Sequence, residues 1–203
     1  LIHLEKEANG LWIVTIDRPE KANSLTEEML STLADIAEQA AEARAIIFTG
    51  KGKVFSAGAD LDEARKGLAT SPVWERLSTA VANLPCMTIA ALNGTLAGGA
   101  NGLALACDLR IAVPSAKVFY PVMKLGFLPQ PSDPIRMTAL IGPARTKLIL
   151  MGGQKIPADD ALSFGLIDRI VAPDDLMPTA RILVADTLNA PLEIAQGIKS
   201  MCQ

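Results

Sequence analysis

From Leu77 to Cys107 the chain carries no charged residue, and this stretch limits the possible folds more than any other. As one helix it would be long enough to cross a bilayer. Pro85, Asn93-Gly94, Gly98-Gly99 and Asn101-Gly102 cut it into pieces too short for that. The reading that remains is a buried strand, a glycine-rich turn and a buried helix, all inside a core. A core of that kind needs apolar material, and half of the 203 residues are hydrophobic while a fifth are charged. The same balance separates the chain from disordered sequences.

Charge and cysteine usage narrow the partners. The net charge is −3 with both signs interspersed, and no Lys/Arg block exists to follow a phosphate backbone, so no nucleic-acid partner is expected. A ligand with a few phosphates remains compatible, since local N–H groups or single lysines can hold one. Cys86, Cys107 and Cys202 are odd in number and His3 is the only histidine, so spacing assembles no metal site. A reduced, cytoplasmic setting without membrane attachment is the expectation, with no signal-peptide pattern at the start.

Along the chain, Leu11 to Ile16 reads as a strand ending at Asp17-Arg18-Pro19. Leu30, Leu33, Ala34, Ala37 and Ala41 line one face of a helix, and Ala45 to Thr49 is a buried strand, so this strand–helix–strand order predicts parallel pairing. Pro72 to Leu84 then reads as a helix, Cys86 to Leu92 as a strand, Gly99 to Ala106 as a helix and Leu109 to Val113 as a strand. Helices follow at Asp133–Ile141, Pro143–Met151, Ala158–Leu162, Asp174–Leu188 and Pro191–Met201, interrupted by a brief strand at Ile167–Val171. The pattern predicts an α/β core over residues 1–140 and a helical part over 141–203.

Two loops carry candidate chemistry. Gly50 to Leu61 leaves a strand through Ser56-Ala57-Gly58, which can present consecutive N–H groups to a ligand; an ordinary loop capped by Asp60 is the alternative. Pro85 to Arg110 runs from a strand through Asn93-Gly94 into Gly98-Gly99 at the start of a helix, whose free N–H groups favour developing negative charge. Glycines that let a helix pack closely on a sheet would look the same.

Together the loops resemble the crotonase (enoyl-CoA hydratase/isomerase) superfamily. Phe55-Ser56-Ala57-Gly58-Ala59-Asp60-Leu61 is similar to its F-S/A-A-G-x-D-L loop, and Ala90 to Arg110 to its A-A-x-N-G-x-x-x-G-G stretch ending in C-D-x-R. Arg18-Pro19 through Asn23-Ser24-Leu25, Leu125 to Pro129, and Ala158 through Ala161 to Gly165-Leu166-Ile167 match further segments in the same order. The resemblance implies a spiral of ββα repeats followed by helices, assembled as homotrimers or hexamers, and an acyl-coenzyme A substrate with no permanently bound cofactor. It implies that the Ala59 and Gly99 N–H groups form an oxyanion hole for the thioester carbonyl. Ala22, Ser24, Ala57, Asp60, Leu61 and Gly98 would line the coenzyme A groove beside them.

The chain also departs from the hydratases, which work with two glutamates. Their positions hold Gly102 and Val122 here, and neither residue can move a proton. Asp133, in Pro129-Gln130-Pro131-Ser132-Asp133-Pro134, is the candidate replacement base, with Gln130 to orient a water or carbonyl. Ser132 or Asp133 before Pro134 also fits a helix cap, and that local pattern carries more weight than catalysis. Tyr120, near the expected pocket wall, could donate its hydroxyl to a substrate, but a half-buried strand tyrosine is the commoner case; Lys124 reads as facing solvent or a coenzyme phosphate. His3 reads as a surface residue, and its isolation from any nucleophile leaves a serine-peptidase reading without support. Two functions stay open: a lyase or isomerase acting through a stabilised enolate, or a non-catalytic acyl-CoA-binding scaffold.

Overall fold

The computed structural model describes residues 1–203, and its chain opens with an antiparallel hairpin, β1 (Ile2–Lys6) and β2 (Leu11–Ile16). Helix α1 (Glu27–Glu38) crosses to β3 (Ala45–Gly50), which pairs with β2 in parallel as the strand–helix–strand order predicts. Thr26 caps α1 by accepting from the Met29 N–H at 3.2 Å.

A repeating unit then begins: one strand in a large sheet, one short strand in a second sheet, then helix. The first turn is β3, β4 (Val54–Ser56), α2 (Leu61–Ala64) and α3 (Val73–Ala82). The second is β5 (Met87–Leu92), β6 (Thr95–Ala97) and α4 (Asn101–Ala106). The third is β7 (Leu109–Ala112), β8 (Lys117–Phe119) and α5 (Val122–Leu125). The chain finishes with α6 (Ser132–Leu150), β9 (Ile156–Pro157), α7 (Ala158–Phe164), β10 (Arg169–Ile170), α8 (Leu176–Asn189) and α9 (Leu192–Met201). The six-stranded sheet runs β1-β2-β3-β5-β7-β10 and the four-stranded sheet β4-β6-β8-β9. This is the ββα spiral that the motifs imply.

The uncharged stretch falls into the end of α3, then β5, β6 and α4, and no helix of the molecule is long and apolar enough to cross a membrane. β3 and β5 are covered on both faces and read as continuous apolar runs, as central parallel strands do: Ile46, Ile47, Ile89, Ala90 and Ala91 are fully buried. Leu30 and Leu33 of α1 and Leu77 and Val81 of α3 join the same core. The two helices expected at 133–141 and 143–151 are the two arms of α6, which breaks at Gly142 (φ 78°), immediately before Pro143.

Two asparagines position the first turn of the spiral. Asn23, itself at φ 53° and buried, donates to Lys51 O and Val54 O, while Asn93 donates to Gly52 O and Val54 O from the other side. Asn93 Oδ1 also accepts from Gly50 N–H. The C-D-x-R run has a structural task too. Buried Arg110 donates to Leu166 O, Ala104 O and Cys107 O, tying α4 and β7 to the segment after α7.

Gly94 lies against this turn so closely that a Cβ would sit 1.9 Å from Lys53 O. Relief requires backbone movement, because the obstacle is a carbonyl and not a flexible side chain. Gly94→Ala is therefore expected to destabilise the fold by about 3 kcal/mol, at the upper end of overpacking costs. Chemical denaturation checks it; a loss under about 0.5 kcal/mol would mean that the turn is not packed as described.

Candidate functional site

The first loop is held from below. Ser56 is fully buried, donates its hydroxyl to Asn23 O and accepts from Gly58 N–H. Ala57 N–H donates to Ala22 O at 3.0 Å, which joins the loop to the left-handed turn at Ala22 (φ 51°). Leu25 N–H donates to Gly58 O and Asp60 N–H to Leu25 O, so strand geometry turns the intervening Ala59 N–H away from Leu25.

Asp60 is the loop's anchor. One carboxylate oxygen accepts from the Asp62 and Glu63 N–H groups and caps α2; the other accepts from Arg18 at 2.8 Å. The Arg18 guanidinium, followed by those backbone N–H groups, holds the Asp60 carboxyl below the ordinary carboxylate range against the effect of burial. Arg18 also donates to the Ser24 carbonyl and hydroxyl, so Ser24, Arg18 and Asp60 form one brace behind the loop.

The second loop meets the first edge to edge. Gly58 takes φ 90° beside Ala97, where a Cβ would lie 2.9 Å from Ala97 O and 3.3 Å from Gly98 Cα. Gly98 (φ 58°) opens a 3₁₀ turn over Gly98–Ala100 that runs into α4, so Gly99 lies in a first turn whose N–H groups lack helical acceptors. Asn101 steadies this turn by donating to Gly98 O and Phe119 O. Trp74 packs on Gly99 with ring atoms 2.9–3.0 Å from where a Cβ would be, and its indole N–H donates to Leu68 O.

Between the loops opens a cavity of about 430 Å³ whose wall includes Ala57, Ala59, Leu61, Gly98 and Gly99 from the sequence-predicted set. Trp74, Phe119, Val122 and Phe127 make the rest of it largely apolar, with Arg65, Tyr120 and Gln130 as polar contributors. Ala22, Ser24 and Asp60 stand behind the loop and do not form its wall. Gln130 donates to Ala69 O at 3.4 Å.

The two glutamate positions differ in what replaces them. Val122 is simply part of the apolar wall. At Gly102 a Cβ would lie 2.8 Å from Asp133 Oδ1, so the aspartate carboxylate occupies the space of the missing side chain. Asp133 is completely buried; Oδ2 accepts from the Tyr120 hydroxyl at 2.9 Å and Oδ1 has no partner. Burial pushes its carboxyl up to about 6; the Tyr120 hydrogen bond and Arg136 act in the opposite direction and Glu75 adds to the rise. Burial, and then the charge of Asp133, also raises the Tyr120 phenol above its ordinary value.

Two sequence expectations are corrected here. Asp133 is not a helix cap: α6 begins at Ser132, Pro131 holds the capping position without a side-chain bond, and the Ser132 N–H is satisfied by Glu75 of α3. Tyr120 is not a half-buried strand residue; it lies just past β8 and is 4% exposed. Three other expectations agree with the structure. His3 pairs with Asp17 at the surface, Lys124 is exposed, and Asp60 caps its loop. Burial pushes the Cys86 thiol up to about 11 and Cys107 to about 12, so neither supplies a thiolate at neutral pH.

Known proteins resemble this chain in sequence and fold. The family model described as enoyl-CoA hydratase/isomerase matches residues 6–203. The short-chain-enoyl-CoA hydratase of Clostridium acetobutylicum is 34% identical over 205 residues, covering 94% of this chain and 77% of its own. The carnitinyl-CoA dehydratase of Escherichia coli K12 is 34% identical over 203 residues, covering 96% and 77%. The solved enoyl-CoA hydratase subunit I of Geobacillus kaustophilus superposes with a TM-score of 0.88 at 30% identity, covering 98% of this chain and 79% of that one.

Proposed function

Since the chain belongs to the enoyl-CoA hydratase/isomerase family, we propose that it binds an acyl-CoA and stabilises the thioester enolate between the Ala59 and Gly99 N–H groups. The observation that carries this reading is the meeting of the two glycine loops at one apolar cavity, with both residues in its wall. Two fixed donors in a largely apolar site favour the oxyanion over the neutral carbonyl, because they need no reorganisation as charge develops. Ala22, Ser24, Ala57, Asp60, Leu61 and Gly98 are assigned to the coenzyme A groove, directly or by bracing its loop. Asp133 is the carboxyl available for proton transfer, with a pKa of about 6 that lets it act as a base at neutral pH.

The reaction class follows from the departures. Hydration of a double bond uses one carboxylate to activate water and a second to protonate carbon; here one carboxylate exists and the Val122 position is apolar. Chemistry that needs a single proton acceptor fits: α-proton removal, double-bond migration, or C–C cleavage through the same enolate. Each missing acid or base typically removes about 10²–10⁴ in rate. Crotonyl-CoA hydration, followed by loss of enoyl absorbance, should therefore run at least about a hundredfold below a two-glutamate hydratase measured alongside. Hydration at the same rate as that hydratase would refute the single-acceptor assignment. Binding of acyl-CoA without any turnover or exchange would favour a scaffold role.

A further inference from the structure

The carboxylate does not itself line the cavity. Tyr120 belongs to the wall, whereas Asp133 is completely buried behind it and contributes nothing to the cavity surface. The only bond between them is the hydroxyl of Tyr120 donated to Asp133 Oδ2 at 2.9 Å. The other oxygen, Oδ1, faces the space above Gly102 with no donor at all, which is an uncommon position for a buried acceptor. A carboxylate left half satisfied, whose one partner is the hydroxyl of a cavity-wall residue, is placed to receive a proton through that hydroxyl.

We propose that Tyr120 is the catalytic residue that meets the substrate and that Asp133 is the terminal proton acceptor behind it, the two acting as a relay. The proposal rests on the acyl-CoA reading above and adds the path of the proton. In the forward step the substrate Cα–H bond breaks and its electron pair enters the enolate held by the Ala59 and Gly99 N–H groups. The released proton bonds to the Tyr120 oxygen while the original Tyr120 proton passes to Asp133 Oδ2. The phenol is neutral before and after, so no free phenolate is needed, and the only net change on the protein is a protonated Asp133. The reverse step returns the proton to carbon. Gly102 makes the relay possible by leaving room for the carboxylate on the face of α4.

Two charged groups face Asp133 besides Tyr120 itself. Glu75 approaches from α3 and Arg136 lies one turn along α6; Arg136 Nη1 is buried without a partner. Glu75 is bonded to the Ser132 hydroxyl and N–H, so its charge is held near the start of α6. The exchange profile is therefore the profile of Asp133 in this company and is read against variants at position 133.

The test is α-proton exchange of butyryl-CoA in deuterated water, followed by mass spectrometry from about pH 5 to about pH 9. Wild type, Tyr120→Phe and Asp133→Asn are compared, each with its butyryl-CoA affinity and melting temperature. Wild-type exchange should rise through about pH 6 and level off, as the carboxyl loses its proton. Both variants should retain affinity and lose exchange by about a hundredfold or more. Tyr120→Phe exchanging within about threefold of wild type would overturn the relay, since Asp133 or another base would then reach the substrate unaided. Asp133→Asn keeping the wild-type rate and inflection would overturn it as well.

Because Tyr120 is the only tyrosine, fluorotyrosine incorporation labels it alone. Its fluorine resonance should follow the Asp133 titration and move when butyryl-CoA binds, a response that remains measurable if Tyr120→Phe does not fold. A resonance indifferent to both would contradict the relay. Absence of exchange in wild type that binds butyryl-CoA would instead remove the enolate reading itself, so the two failures are distinguishable.

Discussion

Gly99→Pro should lower acyl-CoA turnover by about 10²–10³-fold, because proline removes one of the two N–H donors proposed for the thioester oxygen. The substitution also adds atoms where none fit, since a Cβ at residue 99 falls 2.9 Å from a Trp74 ring carbon. Gly99→Ala separates the two effects: it adds the same Cβ and keeps the N–H. If the donor matters, the alanine variant loses only what the displacement of Trp74 costs, while the proline variant loses that and the oxyanion term. Coenzyme A affinity should change little in either, because the groove is braced separately through Arg18, Ser24 and Asp60. Equal activity of the two variants would show that the Gly99 N–H does not contact the developing charge.

Asp133→Asn should make the protein more stable at pH 8 and not at pH 4. The Asp133 carboxyl is raised from 3.8 to about 6 in the folded state, so the folded chain holds its proton more tightly than the unfolded chain. The stabilisation from that proton is fully present below about pH 4 and is lost as the pH rises through about 6. A shift of that size corresponds to roughly 3 kcal/mol, at 1.36 kcal/mol per unit. Asparagine carries no charge to bury, but its amide adds donors beside Gly102, so a net gain of about 1–2 kcal/mol at pH 8 is expected. Thermal melts at the two pH values check the sign. An asparagine variant less stable than wild type at pH 8 would mean that the ionised carboxylate is well satisfied in the fold.

The stability effect at Asp133 and the proton transfer proposed for it share one cause. The same buried carboxylate that suits proton transfer also costs stability, which is the usual relation between a strained site and its scaffold.

The sequence carries the fold unevenly. The central strands and α1, α3, α8 and α9 are legible because each is long enough to show its period and lies between clear breakers. The second sheet is not, since β4, β6, β8 and β9 span only two or three residues each and have no readable alternation. Their presence follows from the motif resemblance alone. The two glycine loops are legible for a physical reason. Gly58 and Gly98 need positive φ and Gly94 needs the absence of a Cβ, so these positions must be written as glycine.

Asp133 shows where local reading stops. Ser-Asp-Pro before an apolar run is a sound capping pattern, and it outweighed catalysis for that reason. What excludes the cap lies elsewhere in the chain: Glu75 satisfies the start of α6, Tyr120 binds the carboxylate, and Gly102 leaves it room. One sequence signal pointed there. Carboxylates are absent at Gly102 and Val122 and a new one stands at Asp133, and that loss and gain make Asp133 the candidate replacement base. Tyr120 is read only in part for a similar reason, because its bond to Asp133 joins residues that no local pattern connects.

The most direct measurement is deuterium uptake at the α carbon of acyl-CoA thioesters incubated with wild-type protein in deuterated water. Saturated, enoyl, hydroxyacyl and malonyl-type thioesters form the panel, and mass spectrometry reads each one. The account predicts uptake into at least one thioester with an α-proton, as expected of an enolate held by Ala59 and Gly99 and reprotonated from the Tyr120–Asp133 side. Binding across the panel with no uptake and no new product in any member would contradict it.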